Sequence, residues 1–159
     1  MTESLPSEVI ILTDVTVLAI GLTEDHPAHD DVSPWIENAL DGPNTLLVFD
    51  HYPLRTQYLM TSSFGVDAID ARNAVQSLVR SPARIVSATE TTILDAYEIS
   101  AEKDHDVCDS FIFALATEYD ADYLLTTDED FDALCTDEDL QYTNPVPAEK
   151  RATLSQIDG

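Results

Sequence analysis

The chain has 159 residues, 44% of them hydrophobic, which is enough for one domain with a core that needs no staples. It carries 31 acidic against 7 basic residues, a net charge of −24, and the acids are spread along its length, which excludes an acidic tail on a neutral domain. Its two cysteines, Cys108 and Cys135, form no CxxC and no zinc spacing, which argues against a disulfide scaffold or a zinc module and leaves two free thiols as the expectation.

The opening MTESLPSEV lacks a basic region, and VIIL is too short for a signal-peptide core. The longest uncharged apolar stretch, Val15 to Thr23, cannot span a bilayer, so a soluble, cytoplasmic protein with no membrane partner is expected. Apolar runs of strand and helix period persist throughout, which argues against disorder. The acid excess points to a very salty cytoplasm, as in a halophilic archaeon, where a Debye length of roughly 3 Å at 1 M salt screens self-repulsion. An acidic mesophilic protein is the plainer alternative. A net charge of this sign disfavours phosphate binding. High salt weakens that objection, and a bound cation can supply positive charge locally.

Glu8 to Thr13 (EVIILT) is β-branched and apolar, and predicts a buried strand. A turn into a short helix follows in TDVTVLAIGL, and HPAHDDVSPWIENAL predicts a helix with Trp35, Ile36 and Leu40 inward. Thr45 to Asp50 (TLLVFD) reads equally as strand or helix. Pro53 suits the first turn of a helix starting near Asp50 and carrying Leu54, Tyr58 and Leu59. Val66 to Arg80 is helical, with Ala71, Val75, Leu78 and Val79 on one stripe. ARIVSA is a further strand, Glu90 to Glu102 a helix, and Asp106 to Tyr119 the clearest helix, with Cys108, Ile112, Leu115, Ala116 and Tyr119 forming its apolar face. YLLTT is a strand, Asp128 to Leu134 a turn and short helix, and LQYTNP a last strand stopped by Pro145 and Pro147. Alternating strands and helices predict a three-layer α/β/α domain around a mainly parallel sheet, with a core over about 8–146 of a single domain spanning 1–159.

In such a fold ligands bind at the carboxyl ends of the strands. Asp14 directly follows the first strand and Asp128 follows YLLTT. Asp109 lies in the first turn of the helix before that strand. About eleven helical residues descend ~16 Å, and a five-residue strand climbs back ~16 Å, so Asp109 and Asp128 return to one level. Asp50 joins them if the run before it is a strand or loop. Clustered carboxylates repel unless a cation sits among them, and hard oxygen donors suit Mg²⁺ or Mn²⁺. Each acid also has a bland reading. Asp14, Asp50 and Asp128 stand where helix caps do, and Asp109 complements a helix dipole. In a chain with 20 aspartates no single placement decides, but independent placements on one edge argue for a site.

These residues resemble the PIN domain family. ILTDVTVLAIGLTEDHPAH looks like the family's opening, with Asp14 and Thr16 at its polar positions. CDSFIFALA followed by ADYLLTTDEDF resembles its second hallmark, with Asp109 and Asp128 as the third and fourth acids and Asp130 as a helper. The second acid, a Glu in the family, is matched by Asp50 in VFDHYPLR, and Glu37, Asp67 and Asp70 are weaker stand-ins. The resemblance covers nearly the whole chain. It implies a Rossmann-type topology and a Mg²⁺- or Mn²⁺-dependent endoribonuclease. Asp14, Asp50, Asp109 and Asp128 would be its catalytic acids. Asp14, Asp109 and Asp128 would be metal ligands, with Thr16 and Asp130 in support. It also implies RNA as substrate, a homodimer, and, for VapC-type toxins, a small antitoxin partner. A degenerate PIN module used for RNA or protein binding is the alternative.

Other acid-rich folds fit worse. A response-regulator receiver needs paired acids after its first strand, where Thr13 precedes Asp14. A haloacid-dehalogenase-like phosphatase needs D-x-D where this chain has D-V-T. No GxGxxG, P-loop or GxSxG is present. His26 and His29 have a spacing that can bind metal, but a solvated helix start is the plainer account. His51 and His105 each flank a candidate acid, as single structural or surface histidines often do.

Overall fold

The computed structural model describes residues 5–136 and 138–151. Five strands, β1 (Ile10–Thr13), β2 (Thr45–Phe49), β3 (Arg84–Val86), β4 (Tyr123–Leu125) and β5 (Gln141–Thr143), form one sheet in the order β3-β2-β1-β4-β5. Every neighbouring pair is parallel, with Leu12 opposite both Leu47 and Leu124. TLLVFD is thereby a strand, the choice its composition left open. The sequence builds outward from β1 to β3, then crosses back to place β4 on the other side of β1. The β1–β4 seam is therefore the point where the winding reverses.

The connections are α1 (Val15–Leu22), α2 (His29–Asp41), α3 (Tyr52–Ser62), α4 (Ala68–Arg80), α5 (Glu90–Lys103), α6 (Val107–Glu118) and α7 (Phe131–Cys135). Helices α1 to α4 pack on one another, as do α5 with α6 and α6 with α7. Successive residues of a strand point to opposite faces, yet Ile11 and Leu12, Leu46 and Leu47, and Leu124 and Leu125 are all essentially inaccessible. Both faces are covered, which is why these strands are continuous apolar runs and not alternating ones. The architecture is three-layered, as expected. Among the described residues no helix is long and apolar enough to cross a membrane.

Several local expectations shift. β1 starts at Ile10 and not Glu8, because Glu8 bends the chain with φ of 60°. The helix after β2 starts at Tyr52, with Pro53 in its first turn, and it buries Tyr52, Pro53, Thr56 and Met60. Leu54 and Tyr58 face outward, 75% and 73% exposed. Val79 also leaves its stripe, although Ala71, Val75 and Leu78 are buried. Helix α6 is enclosed over most of its circumference, from Ile112 to Ala116, because α5 and α7 pack on it and its Ile112, Phe113, Leu115 and Ala116 join the core cluster that includes the strands. Cys108, at its start, is exposed, whereas Cys135 is buried, and both are free thiols.

Candidate active site at the reversal of the sheet

Asp14 links strand β1 to helix α1 with no loop between them. It caps α1, its Oδ1 accepting from the Val17 amide at 2.8 Å. Its own amide donates to the Leu125 carbonyl at 3.2 Å, which ties the end of β1 to the end of β4. Directly beyond, the buried Thr126 hydroxyl donates to Asp14 Oδ2. The same Thr126 oxygen accepts from the Asp128 amide at 3.0 Å, and Asp128 Oδ1 accepts from the Asp130 amide at 2.9 Å. The Thr126 amide reaches the Thr143 carbonyl of β5 at 3.2 Å. A chain of hydrogen bonds thus fixes Asp14, Asp128 and Asp130 relative to one another across the β1–β4 seam.

Asp109 arrives from α6. Asp106 caps that helix, accepting from the amides of Cys108 and Asp109, so Asp109 stands in the first turn, at the same edge as the strand ends. Its Oδ2 meets His105 Nε2 at 3.2 Å. One carboxylate oxygen each from Asp109, Asp128 and Asp130 lie within 4.8 Å of one another. Asp14, Thr16, Asp109 and Asp128 all line one groove of about 570 Å³, whose other wall is largely apolar, with Ile93, Ala96 and Tyr97 of α5. Phe49 packs edge-on to Tyr52 and to Phe111, both at 5.3 Å between ring centres, to stiffen its floor.

The electrostatics are those of crowded, partly desolvated acids. Burial pushes the Asp14 carboxyl from 3.8 up to about 6, opposed by the hydrogen bonds from Thr126 and Val17 and reinforced by the charge of Asp128. Asp109 is also raised, first by burial and then by Asp128, against the pull of its hydrogen bond with His105. Burial, then the charge of Asp14, raises the Tyr52 phenol, and Arg55 works in the opposite direction. The donor set is one of hard carboxylate oxygens with excess negative charge, which fits a divalent cation and no soft metal.

Asp50 lies apart. Its backbone sits at the end of β2, but its Oδ2 accepts from Ser87 Oγ at 2.8 Å and its Oδ1 meets His51 Nδ1 at 3.0 Å. It does not line the groove. The positions of α3 that do are Tyr52 and Arg55. The weaker stand-ins lie on other elements. Glu37 is exposed on α2, Asp67 caps α4 through the Ile69 amide at 2.9 Å, and Asp70 is exposed in the first turn of α4. The Nδ1 atoms of His26 and His29 meet backbone groups. His26 Nδ1 accepts from the Ala28 amide at 3.0 Å, and His29 Nδ1 meets the Ile20 carbonyl at 3.0 Å. Thr126 was not anticipated from the sequence. Its signal was the polar TTD directly after the apolar YLL, which ends the strand at Leu125 and frees the hydroxyl to face Asp14.

A family model described as the PIN domain matches residues 11–136. The chain belongs to the PIN domain family. The match runs from β1 through α7 and so spans every acid of the groove. Among solved structures, this PIN domain is similar to the toxin VapC20 of Mycobacterium tuberculosis, described as cleaving the sarcin-ricin loop. The TM-score is 0.61 at 17% identity, covering 78% of this chain and 94% of that one. It is also similar to VapBC2 of Rickettsia felis, solved bound to a DNA fragment from its promoter, with a TM-score of 0.60 at 16% identity and coverage of 85% and 98%. A third likeness is VapBC-1 of nontypeable Haemophilus influenzae, with a TM-score of 0.56 at 13% identity and coverage of 86% and 98%. At these identities the likeness is one of fold. No curated protein sequence matches this chain at a significant level.

Proposed function

We propose that this PIN domain is a divalent-metal-dependent endoribonuclease acting as the toxin of a toxin–antitoxin pair. The observation that carries the nuclease reading is that Asp14, Asp109 and Asp128 line one groove at the reversal of the sheet, with Asp130 offering a carboxylate oxygen within 4.8 Å of those of Asp109 and Asp128 at its margin. The toxin reading is supported by fold alone, through VapC20 and the two VapBC proteins. A small antitoxin is accordingly the proposed partner, RNA the proposed substrate, and a homodimer the proposed assembly.

Asp14, Asp109 and Asp128 would hold the cation, with Asp130 able to share the load of Asp128. A bound Mg²⁺ or Mn²⁺ would supply a water of lowered pKa and positive charge against the phosphate. The residues of the chain do the rest. Thr126 fixes the rotamer of Asp14 by donating to Oδ2, leaving Oδ1 on the Val17 amide. His105 orients Asp109 from one turn away. The apolar wall of α5 limits water on the side facing the acids. Thr16 lines the groove two residues past Asp14, in reach of water or phosphate oxygen. Asp50, held by Ser87 and His51, stays outside this set.

The test is cleavage of end-labelled single-stranded RNA with Mn²⁺, with EDTA, and by Asp14→Asn and Asp109→Asn proteins, at high salt. Cleavage should need Mn²⁺ and both acids. EDTA-resistant cleavage, or full activity of Asp14→Asn, would place the chemistry elsewhere. A second reading, a degenerate module that binds without cutting, is favoured by one observation: α3 brings Tyr52 and Arg55 to the groove and no acid. Retained RNA binding without cleavage by the parent protein on any RNA tried would favour it.

A further inference from the structure

Only 7 of the 159 residues are basic, so the position of each carries weight. Lys103 pairs with Glu138, Lys150 with Asp31, and Arg151 with Glu129. Arg84 lies over the Tyr119 ring. Arg72 and Arg80 belong to α4, which does not line the groove. Arg55 is the remaining one. It is exposed, its guanidinium has no hydrogen-bond or ion-pair partner among the described residues, and it is the one Arg or Lys lining the acidic groove. In a chain with 31 acids, an Arg that lines the same groove as Asp14 and Asp109 yet is bonded to neither leaves its planar fork of donors available.

Arg55 also lines a second depression, of about 490 Å³, formed by Val15, Thr16, Leu54, Tyr58, Leu59, Ser62 and Ser63. Val15, Thr16 and Arg55 are shared by the two, so the depressions adjoin at Arg55. Along α3, Arg55, Tyr58 and Ser62 follow at spacings of three and four, one stripe on the helix surface ~10 Å long. Tyr58 is 73% exposed. An unpaired guanidinium followed by an exposed aromatic ring matches a single-stranded nucleic acid: the fork takes a phosphate and the ring stacks a base. A stacked base must be splayed from its partner, which a duplex does not allow.

We propose that Arg55 and Tyr58 form the exit track for the substrate strand. Arg55 holds a backbone phosphate adjoining the acid cluster and Tyr58 stacks a base beyond it, so the strand leaves along α3 and must be single-stranded there. This deepens, and rests on, the nuclease reading above.

The test is fluorescence anisotropy with a labelled single-stranded RNA of mixed sequence, and with the same RNA as a duplex, in EDTA and across a salt series. Arg55→Ala should weaken single-strand binding roughly ten- to a hundred-fold. It should also flatten the salt slope by about one. Arg55→Lys should recover part of the affinity, keeping the charge without the fork. Tyr58→Ala should lose roughly five- to a hundred-fold, and Tyr58→Phe should bind like the parent. Thermal melts should be unchanged, since both side chains are exposed, and Mn²⁺ affinity should not fall in Arg55→Ala. If Arg55 instead only offsets repulsion among the acids, Arg55→Ala would lower the melting temperature and leave RNA binding and its salt slope intact, which overturns the proposal. Equal affinity for the duplex would overturn it too. If the parent cuts RNA while Arg55→Ala binds normally, the track falls and the nuclease reading stands. If the parent neither binds nor cuts RNA, both fall.

Discussion

Two acids stand at the ends of parallel strands in this molecule, and their surroundings differ. Asp14, at the end of β1, adjoins the strand reached by the reversal of the chain, so Asp128 and the α6 acid Asp109 share its groove. Asp50, at the end of β2, has only β3 for a further neighbour, and what β3 delivers there is the Ser87 hydroxyl. One carboxylate is pushed up to about 6 by burial, whereas the other is exposed and held by two donors. A strand end alone does not make a site. The reversal does, because it opens a crevice between connections that leave in opposite directions.

The largest effect that tests this contrast is on RNA cleavage. Asp109→Asn and Asp14→Asn should each reduce cleavage by on the order of 10²–10³, whereas Asp50→Asn should leave it near the parent rate. Asp128→Asn should fall between, since Asp130 stands within reach of the same oxygens. An Asp50→Asn protein as inactive as Asp109→Asn would erase the distinction between the two corners.

Thr126→Val comes next. It removes the donor to Asp14 and the acceptor of the Asp128 amide, at a stability cost of about 0.5–1.5 kcal/mol for each hydrogen bond. Because that hydrogen bond lowers the Asp14 pKa, its loss should raise it further, read as a shift in the carboxyl titration of metal-free protein by NMR. An unmoved titration would mean the bond does not form.

The pH dependence follows from the sign of the Asp14 shift. A carboxyl raised from 3.8 to about 6 in the folded protein favours folding while protonated. Its contribution is complete below 3.8 and is lost as pH rises through about 6. Metal-free parent protein should therefore lose about 1–3 kcal/mol over that window relative to Asp14→Asn, measured by urea melts. Added Mn²⁺ should reverse the loss above pH 6. Identical pH profiles for the two proteins would remove the strain attributed to the cluster.

The smallest expected effect per site is the general one. With 31 acids and 7 bases, melting temperature should rise with KCl. A flat or falling series would refute the salt-adapted reading of the composition.

Much of this contrast was legible in the sequence. The run IILT followed by Asp14, and YLL followed closely by Asp128, announce strand ends by their abrupt change from apolar to acidic. The lengths of α6 and β4 return Asp109 to the same level. What sequence spacing does not supply is lateral direction. It brings Asp50 to the correct edge but says nothing of whether its carboxylate faces β1 or β3, which depends on the Ser87 hydroxyl 37 residues away. Helical period likewise marks a stripe without saying how wide a contact covers it. Hence Cys108 and Val79 belong to apolar stripes and yet stand outward, while α6 is buried beyond its predicted face. Thr126 escaped notice because its role comes from contacts with Asp14, 112 residues away, and with β5.

The central claim is that the acids at the reversal, and not the acid at β2, hold a divalent cation. Its most direct test is calorimetric titration of Mn²⁺ into the parent, Asp109→Asn and Asp50→Asn proteins at constant high salt. The account predicts binding by the parent, a loss of at least roughly ten-fold in affinity for Asp109→Asn, and parent-like binding for Asp50→Asn. No binding by the parent, or an Asp50→Asn protein weakened as much as Asp109→Asn, would contradict it.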